Sequence, residues 1–455
     1  VKNFNLVLLN MNDKHSKKFW IIFWLVSVIL LVGFFYFLEF QKNGLSGLTE
    51  KLPVDKDYQT ASALIDELLQ KDNSEKTFLL LFQNNMEIRP GGGFIGAFGI
   101  LKITNGKISS LEVHDTGNFD GRIPDTIPSP KPFQEIMKVQ SLKLRDSNYS
   151  PDFIENTKLA EKFYQMGNGQ EKFDGIIGIT TNVLTSFLKV TGPVNLPDYP
   201  GTFGDENAVM QLEYQVEKGF DEQGIARGER KSVINELGQA VLEKALALGN
   251  LEKIKLAKIV LEDLKKKDIL LYFKDEKLQA KVSASGWDGK VDETWKKDFL
   301  MLVDANIGAW KSDYFMKRSV EYTADLHSET PRASLKITYR HTATEKNWLT
   351  RDYLSYSRIY APMGSWLDKT ENFATPTFEK ELGKISFGSY IPVITGQAKT
   401  VELYYSLPKE IANDYALKIQ KQIGVNDMPW KVKIIQKDGA EKNFEFILNS
   451  DKIIK

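Results

Sequence analysis

A run of twenty residues near the start constrains this chain more than anything after it. From Phe19 to Leu38 it reads FWIIFWLVSVILLVGFFYFL, broken only by Ser27 and Gly33. At a helical rise of ~1.5 Å per residue, such a run spans roughly 30 Å, the hydrocarbon thickness of a bilayer. Trp20, Trp24 and Tyr36 stand toward its ends, where amphipathic rings favour the membrane interface. Lys14, Lys17 and Lys18 precede it and Glu39 follows, so the positive-inside rule puts residues 1–18 in the cytoplasm and the bulk of the chain outside. A cleavable signal peptide has a shorter apolar region and a small-x-small cleavage site, and neither is evident. The expectation is a single-pass signal anchor over 19–40, followed by a polar stalk at 41–55 with Gly44, Gly47 and Pro53.

Beyond the stalk the pattern changes twice. DYQTASALIDELLQ (57–70) has helical spacing, and TFLLLFQ (77–83) is a continuous apolar run of the kind a strand buried on both faces shows. Phe94–Thr104 and Lys107–His114 are β-rich and joined by Asn105-Gly106, a strong hairpin signal. A helix is expected from Pro151 to Met166 with Ser150 as its cap, then a strand in FDGIIGI (173–179), then helices over 205–218 and 229–266. DILLYF (268–273) and FLMLVDAN (299–306) read as further strands. Strands alternating with helices make 56–312 an α/β layered (α/β/α-like) domain. From about Tyr314 on, segments such as RASLKITYRHTA and AKTVELYYSLP alternate polar with apolar residues between turns, so 313–455 is expected to be an all-β immunoglobulin-like sandwich.

Composition removes several functions. Lys and Arg number 60 and so do Asp and Glu, which leaves no basic surplus for sequence-independent nucleic-acid binding. With no cysteine there is no disulfide, thiol nucleophile or thiolate metal site, and four histidines are too few for a His-rich centre. Gly91-Gly92-Gly93-Phe94-Ile95-Gly96 satisfies G-x-G-x-x-G, but a strand follows where a dinucleotide fingerprint needs a helix.

Arginine is the informative residue type. Only ten of the 60 basic residues are Arg, five of them in the α/β stretch: Arg89, Arg122, Arg145, Arg227 and Arg230. Arg89, Arg122, Arg227 and Arg230 sit beside glycine-bearing turns, in MEIRPGGGFIG, FDGRIP and GIARGER. The guanidinium fork grips phosphate bidentately, and glycines let backbone N–H groups approach an anion. Asp115 and Asp120 lie near Arg122 and would serve as base or hold Mg2+ at a pyrophosphate. The competing reading, which composition alone favours, is that these charges pair with one another and pin long loops.

The segments LLLFQNNMEIRPGGGFIGAFGILKITNGKI, HDTGNFDG and FDGIIGITTNVLTSFLKVTGPVNLP together resemble the bacterial family catalogued as domain of unknown function 4012. The resemblance covers about 77–310, and LKITYRHT with DYLSYSRIYAP resembles the β-rich tails of its longer members. A more distant similarity is to the LytR–CpsA–Psr family, membrane-anchored phosphotransferases that move glycopolymers from polyprenyl-pyrophosphate carriers to the cell wall. That resemblance implies phosphate binding by Arg89, Arg122, Arg227 and Arg230, and catalysis or metal binding by Asp115 and Asp120. The sequence departs from it: Gly192-Pro193-Val194 replaces Gly-Gly-Val, and Arg227 and Arg230 are spaced R-x-x-R. Two functions therefore stand as expectations. One is an envelope enzyme acting on a polyprenyl-pyrophosphate glycan in its own membrane. The other is a non-catalytic binding or scaffold protein that presents a β-sandwich outside the bilayer.

Overall fold

The structure, a computed structural model, describes Asp57, Thr60, Ala61, Leu64 and residues 73–455. The apolar run of Phe19–Leu38 and the stalk lie outside the described residues. Among those described, no helix is long and apolar enough to cross a membrane.

The N-terminal part is α/β. Its central strand, β1 (Glu75–Arg89), pairs antiparallel with β2 (Gly92–Thr104), which turns through Asn105-Gly106 into β3 (Lys107–Asp115). Both turn residues have positive φ, 52° and 71°, as a tight hairpin requires. On its other side β1 runs parallel to β4 (Gly175–Thr180). A small hairpin of β5 (Val194–Leu196) and β6 (Tyr199–Phe203) follows, and β7 (Ile269–Phe273) closes the sheet antiparallel to β4. The five-stranded order is β3-β2-β1-β4-β7.

Strand alternation sends β1 side chains to opposite faces. Phe78 and Leu80 enter one apolar cluster with α2 (Asn182–Thr191), α4 (Ser232–Ala247) and α5 (Asn250–Lys265); Leu79 and Leu81 enter another with α1 (Phe153–Met166). The short α3 (Ala208–Tyr214) and α6 (Glu276–Ser285) complete the first of these faces. Described residues Leu64 and Thr60 belong here too: Leu64 is fully buried in that cluster and Thr60 bonds Ser285.

Local chemistry corrects two helix expectations. Asp152, not Ser150, caps α1, its carboxylate accepting from the Ile154 and Glu155 N–H groups; the Ser150 hydroxyl instead accepts from the Asp152 N–H. The expected helix over 229–266 is two helices, because the chain is extended at Leu248 (ψ 148°) and Gly249 (ψ 168°) before α5 begins.

The C-terminal part is β-rich. One six-stranded sheet runs through Trp366–Glu371, Ala398–Ser406, Arg332–His341, Met316–Asp325, Met428–Ile435 and Glu441–Leu448. The other runs through Thr377–Glu381, Lys384–Val393, Tyr353–Pro362, β8 (Asp298–Asn306), Leu417–Ile419 and Lys452–Ile454. Both sheets feed one apolar cluster, in which Leu300, Ile359 and Phe387 of the second meet Val320, Ile337 and Leu403 of the first. β8, grouped with the α/β stretch by the sequence rhythm, pairs with Tyr353–Pro362 and Leu417–Ile419 and belongs to this part. The end of β1 is gripped by it: the Ile88 N–H donates to Asp313 (3.0 Å) and Gln422 donates to the Arg89 carbonyl (3.2 Å).

Candidate functional site

The parallel pairing of β1 with β4 ends at Gln83 and Thr180: β4 stops there, while β1 runs on to Arg89 past bulges in its pairing with β2. In α/β sheets such carboxyl ends open crevices that take ligands. Here the crevice is a shallow cleft with ≈ 130 Å³ of enclosed space, which widens to ≈ 790 Å³ when its open mouth is counted. Its walls are apolar where the sheet meets α3 and α4: Phe82, Phe94, Ile179, Leu212, Val216 and Ile234. Its charged groups are Arg230, Lys231, Lys311, Glu213 and Glu217.

These charges are tightly coupled. Lys231, at the entry to α4, donates to Asp115 (2.6 Å) at the end of β3 and to the Gly96 carbonyl (2.6 Å). Arg230 meets Glu217 at 3.1 Å; Lys311, from the segment after β8, meets Glu217 at 3.2 Å and Glu213 at 3.8 Å. Asn84 donates to Glu213 (2.6 Å). Burial pushes the Glu213 carboxyl up to about 7, against the opposing pull of Lys311. Burial also lowers Lys231, although Asp115 draws it back toward its ordinary value. For Lys311 burial acts to lower it, but the charges of Glu213, Glu217 and Glu87 prevail and raise it. When Glu213 is neutral, three cations (Arg230, Lys231, Lys311) face two carboxylates (Glu217 and Asp115), which leaves the mouth one positive charge in excess.

The residues singled out from sequence fare differently. Of the four arginines, only Arg230 lines the cleft. Arg89 is 1% exposed and faces the C-terminal part: it donates to Glu87 (2.7 Å) and to the Asn306 carbonyl (2.8 Å) between the Phe94 and Phe133 rings. Arg122 is exposed with its guanidinium over Phe119, and Arg227 is exposed in a single 3-10 turn. The glycine run is no anion nest. The Gly91 N–H donates to the Asn148 carbonyl, while Gly92 and Gly93 pair in the ladder opposite Arg89 and Ile88.

Asp115 caps the short helix Thr116–Asp120. Burial acts to raise its carboxyl, but the Lys231 hydrogen bond and charge, with the Asn118 and Gly117 N–H groups, hold it below its ordinary value. Asp120 is buried and accepts from Arg145 and from the Leu144 N–H; burial outweighs these and raises it. The two carboxylates thus spend their oxygens on separate protein cations, and this donor set does not fit a shared Mg2+. Among the described residues, no group of three or more acidic or His side chains is placed to hold a metal.

Lys231, Lys311 and Glu213 were not anticipated. An acid beside Leu212 and Val216 on an apolar helix face was the available signal for Glu213. Lysines as abundant as these carry no signal of their own.

The fold and the cleft define an α/β domain with an amphiphilic crevice, joined to a β-rich part. Residues 73–216 match the family described as Protein of unknown function (DUF4012). The match takes in β1 to β4 and α3, while Arg230, Lys231 and Lys311 lie beyond it. No curated protein matches the chain. Among solved structures, the Lin1025 protein from Listeria innocua is 12% identical, with 50% of this chain and 85% of that chain covered at a TM-score of 0.27. An M1 zinc metallopeptidase from Deinococcus radiodurans is 10% identical, with 30% of this chain and 40% of that chain covered at a TM-score of 0.16.

Proposed function

We propose that this is a membrane-anchored cell-envelope protein whose α/β domain binds an amphiphilic anion, a prenyl phosphate or pyrophosphate that carries a glycan, in the cleft at the ends of β1 and β4. In this reading Phe19–Leu38 anchors the chain, the sheet with helices on both faces is the α/β/α-like receptor, and the C-terminal part is an immunoglobulin-like sandwich that serves as scaffold. The observation that carries it is the pairing of apolar walls with a cationic mouth. Phe82, Ile179, Leu212 and Val216 suit a hydrocarbon chain, and Arg230, Lys231 and Lys311 suit the phosphate. Binding rather than transfer is the reading the geometry favours, because Asp115 and Asp120 are each engaged by a cation.

The test is thermal-shift titration of the chain with a prenyl pyrophosphate, with inorganic pyrophosphate and with the free prenol. A ligand that binds only the folded state raises its stability. The prenyl pyrophosphate is expected to stabilise most, equally with and without Mg2+. Ile234→Trp, which fills the apolar wall, and Arg230→Gln should each remove the effect. Equal shifts from inorganic pyrophosphate alone, or none from any of the three, would defeat the reading.

A further inference from the structure

The most exposed large apolar side chain on the described surface is Leu251, at 71%, in the first turn of α5; Ile254, one turn on, is 54% exposed, and Leu246 at the end of α4 is 51% exposed. A monomer in water gains nothing from large apolar side chains held out into solvent, and exposed apolar surface gathered on one face marks a contact. Its surroundings are specific. Residues 251, 254, 255, 258, 262 and 265 recur at helical spacing along the outward side of α5, and the polar ones are Lys255, Lys258, Glu262 and Lys265, all exposed. Three lysines against one glutamate give this side a positive excess. Lys265, about 21 Å from Leu251 along the axis at ~1.5 Å per residue, pairs with Asp57 at 2.9 Å. Asp57 is the first residue described, and the eighteen residues 39–56 connect it to the apolar run ending at Leu38. Those residues can reach at most roughly 60 Å.

We infer that α5 is an interfacial helix, docked side-on to the headgroup layer of an anionic bilayer. Leu246, Leu251 and Ile254 enter the acyl boundary while Lys255 and Lys258 meet lipid phosphates. Apolar side chains beside lysines on one exposed helix face are what in-plane binding to anionic lipid requires. The far end of the same helix holds Asp57, where the chain leads back toward the apolar segment, so the tether keeps that end of the helix within roughly 60 Å of the bilayer. The inference goes beyond the ligand reading. It rests on membrane attachment by the N-terminal segment but not on what the cleft binds.

The chain contains no cysteine, so a single introduced thiol reports one site. The full-length chain with Leu251→Cys, labelled with an environment-sensitive fluorophore, is reconstituted into phosphatidylcholine vesicles with and without phosphatidylglycerol. Lys442→Cys, exposed on the C-terminal part, serves as the distant control. The label at 251 is expected to move to a less polar environment, and to be quenched by nitroxide lipids, when phosphatidylglycerol is present; the label at 442 should stay in water. Neutralising Lys255→Gln and Lys258→Gln together should lower the docked-to-undocked ratio roughly 30-fold, from about 1 kcal/mol per lysine near an anionic surface. A label at 251 that remains in water in every vesicle, with the chain in the vesicle pellet, overturns the inference. So does a chain that never pellets, which removes the anchor as well. A shift that follows protein concentration without lipid would assign the face to a second copy of the chain instead.

Discussion

Arg89 offers the sharpest test of how charge is used in this molecule. Its guanidinium and the Glu87 carboxylate, 2.7 Å apart, are both buried, at 1% and 6% exposure. Replacing Arg89 by Met leaves the Glu87 charge without its partner in a medium that cannot solvate it. Breaking such a pair typically costs about 3–5 kcal/mol. The lost bond to the Asn306 carbonyl lies within the same network, so its share does not simply add. Glu87→Gln with Arg89→Met removes both charges at once and should cost less than Arg89→Met alone. Equilibrium urea unfolding of the three variants measures the coupling. Binding of a prenyl pyrophosphate by the folded fraction should be unchanged in Arg89→Lys, because the guanidinium faces the C-terminal part rather than the cleft. Were Arg89→Met to lose under about 1 kcal/mol while abolishing ligand binding, the guanidinium would be a ligand group and the cleft would be the wrong site.

Two further outcomes follow from the cleft and the glycine run. Burial pushes the Glu213 carboxyl up to about 7, so it binds its proton more tightly folded than unfolded; its stabilising effect is complete below the unfolded value and fades as pH rises through 7. A neutral Glu213 also leaves the mouth more positive, so affinity for an anionic ligand should fall between pH 6 and pH 8; Glu213→Gln should flatten that dependence in a binding titration, and an unchanged slope would count against the assignment. Gly92 has φ +133° and an added Cβ would stand 1.5 Å from Gln83 Oε1, whereas nothing lies within 4 Å of a Cβ at Gly228. Gly92→Ala should therefore cost more than about 3 kcal/mol in thermal or urea unfolding, and Gly228→Ala should stay within about 0.5 kcal/mol.

The strands of the first sheet are legible in the sequence because each is either a continuous apolar run or one arm of the Asn105-Gly106 hairpin. β8 is just as visible as a strand, but its residues are buried without exception. A strand buried on both faces has no polar side to say which sheet it joins, so the rhythm of the preceding helices claimed it. The site was less legible, and for a physical reason. A guanidinium fork fits a buried carboxylate or carbonyl as well as it fits a phosphate, so scarce arginines signal desolvated hydrogen bonding without naming the partner. Residues 91–93 were equally ambiguous. Gly93 is required because the Asn84 backbone approaches too closely for any side chain, and Gly92 because its φ of +133° is strained for any other residue; the motif's spacing alone does not separate either from anion binding.

The buried arginines share a location that explains their rarity. Arg89 reaches the Asn306 carbonyl across the junction, and Arg358 reaches back from the β-rich part to the Tyr149 carbonyl at 2.9 Å. Arg318 bonds Asp304 and Asp313, and Asp313 in turn accepts the Ile88 N–H. A lysine at any of these points would bring one compact charge where two or three acceptors must be met in fixed directions. The ties have a consequence for the cleft. Lys311, one of its three cations, comes from the segment just after β8, two residues before Asp313. The grip on β1 that joins the two parts therefore also holds Lys311 against Glu213 and Glu217. The cleft is thus not built from the matched stretch alone, since most of its apolar wall comes from 73–216 while Ile234, Arg230, Lys231 and Lys311 come from chain beyond that match. A domain of the same family without an equivalent of this junction would keep the apolar crevice and lose one charge at its mouth.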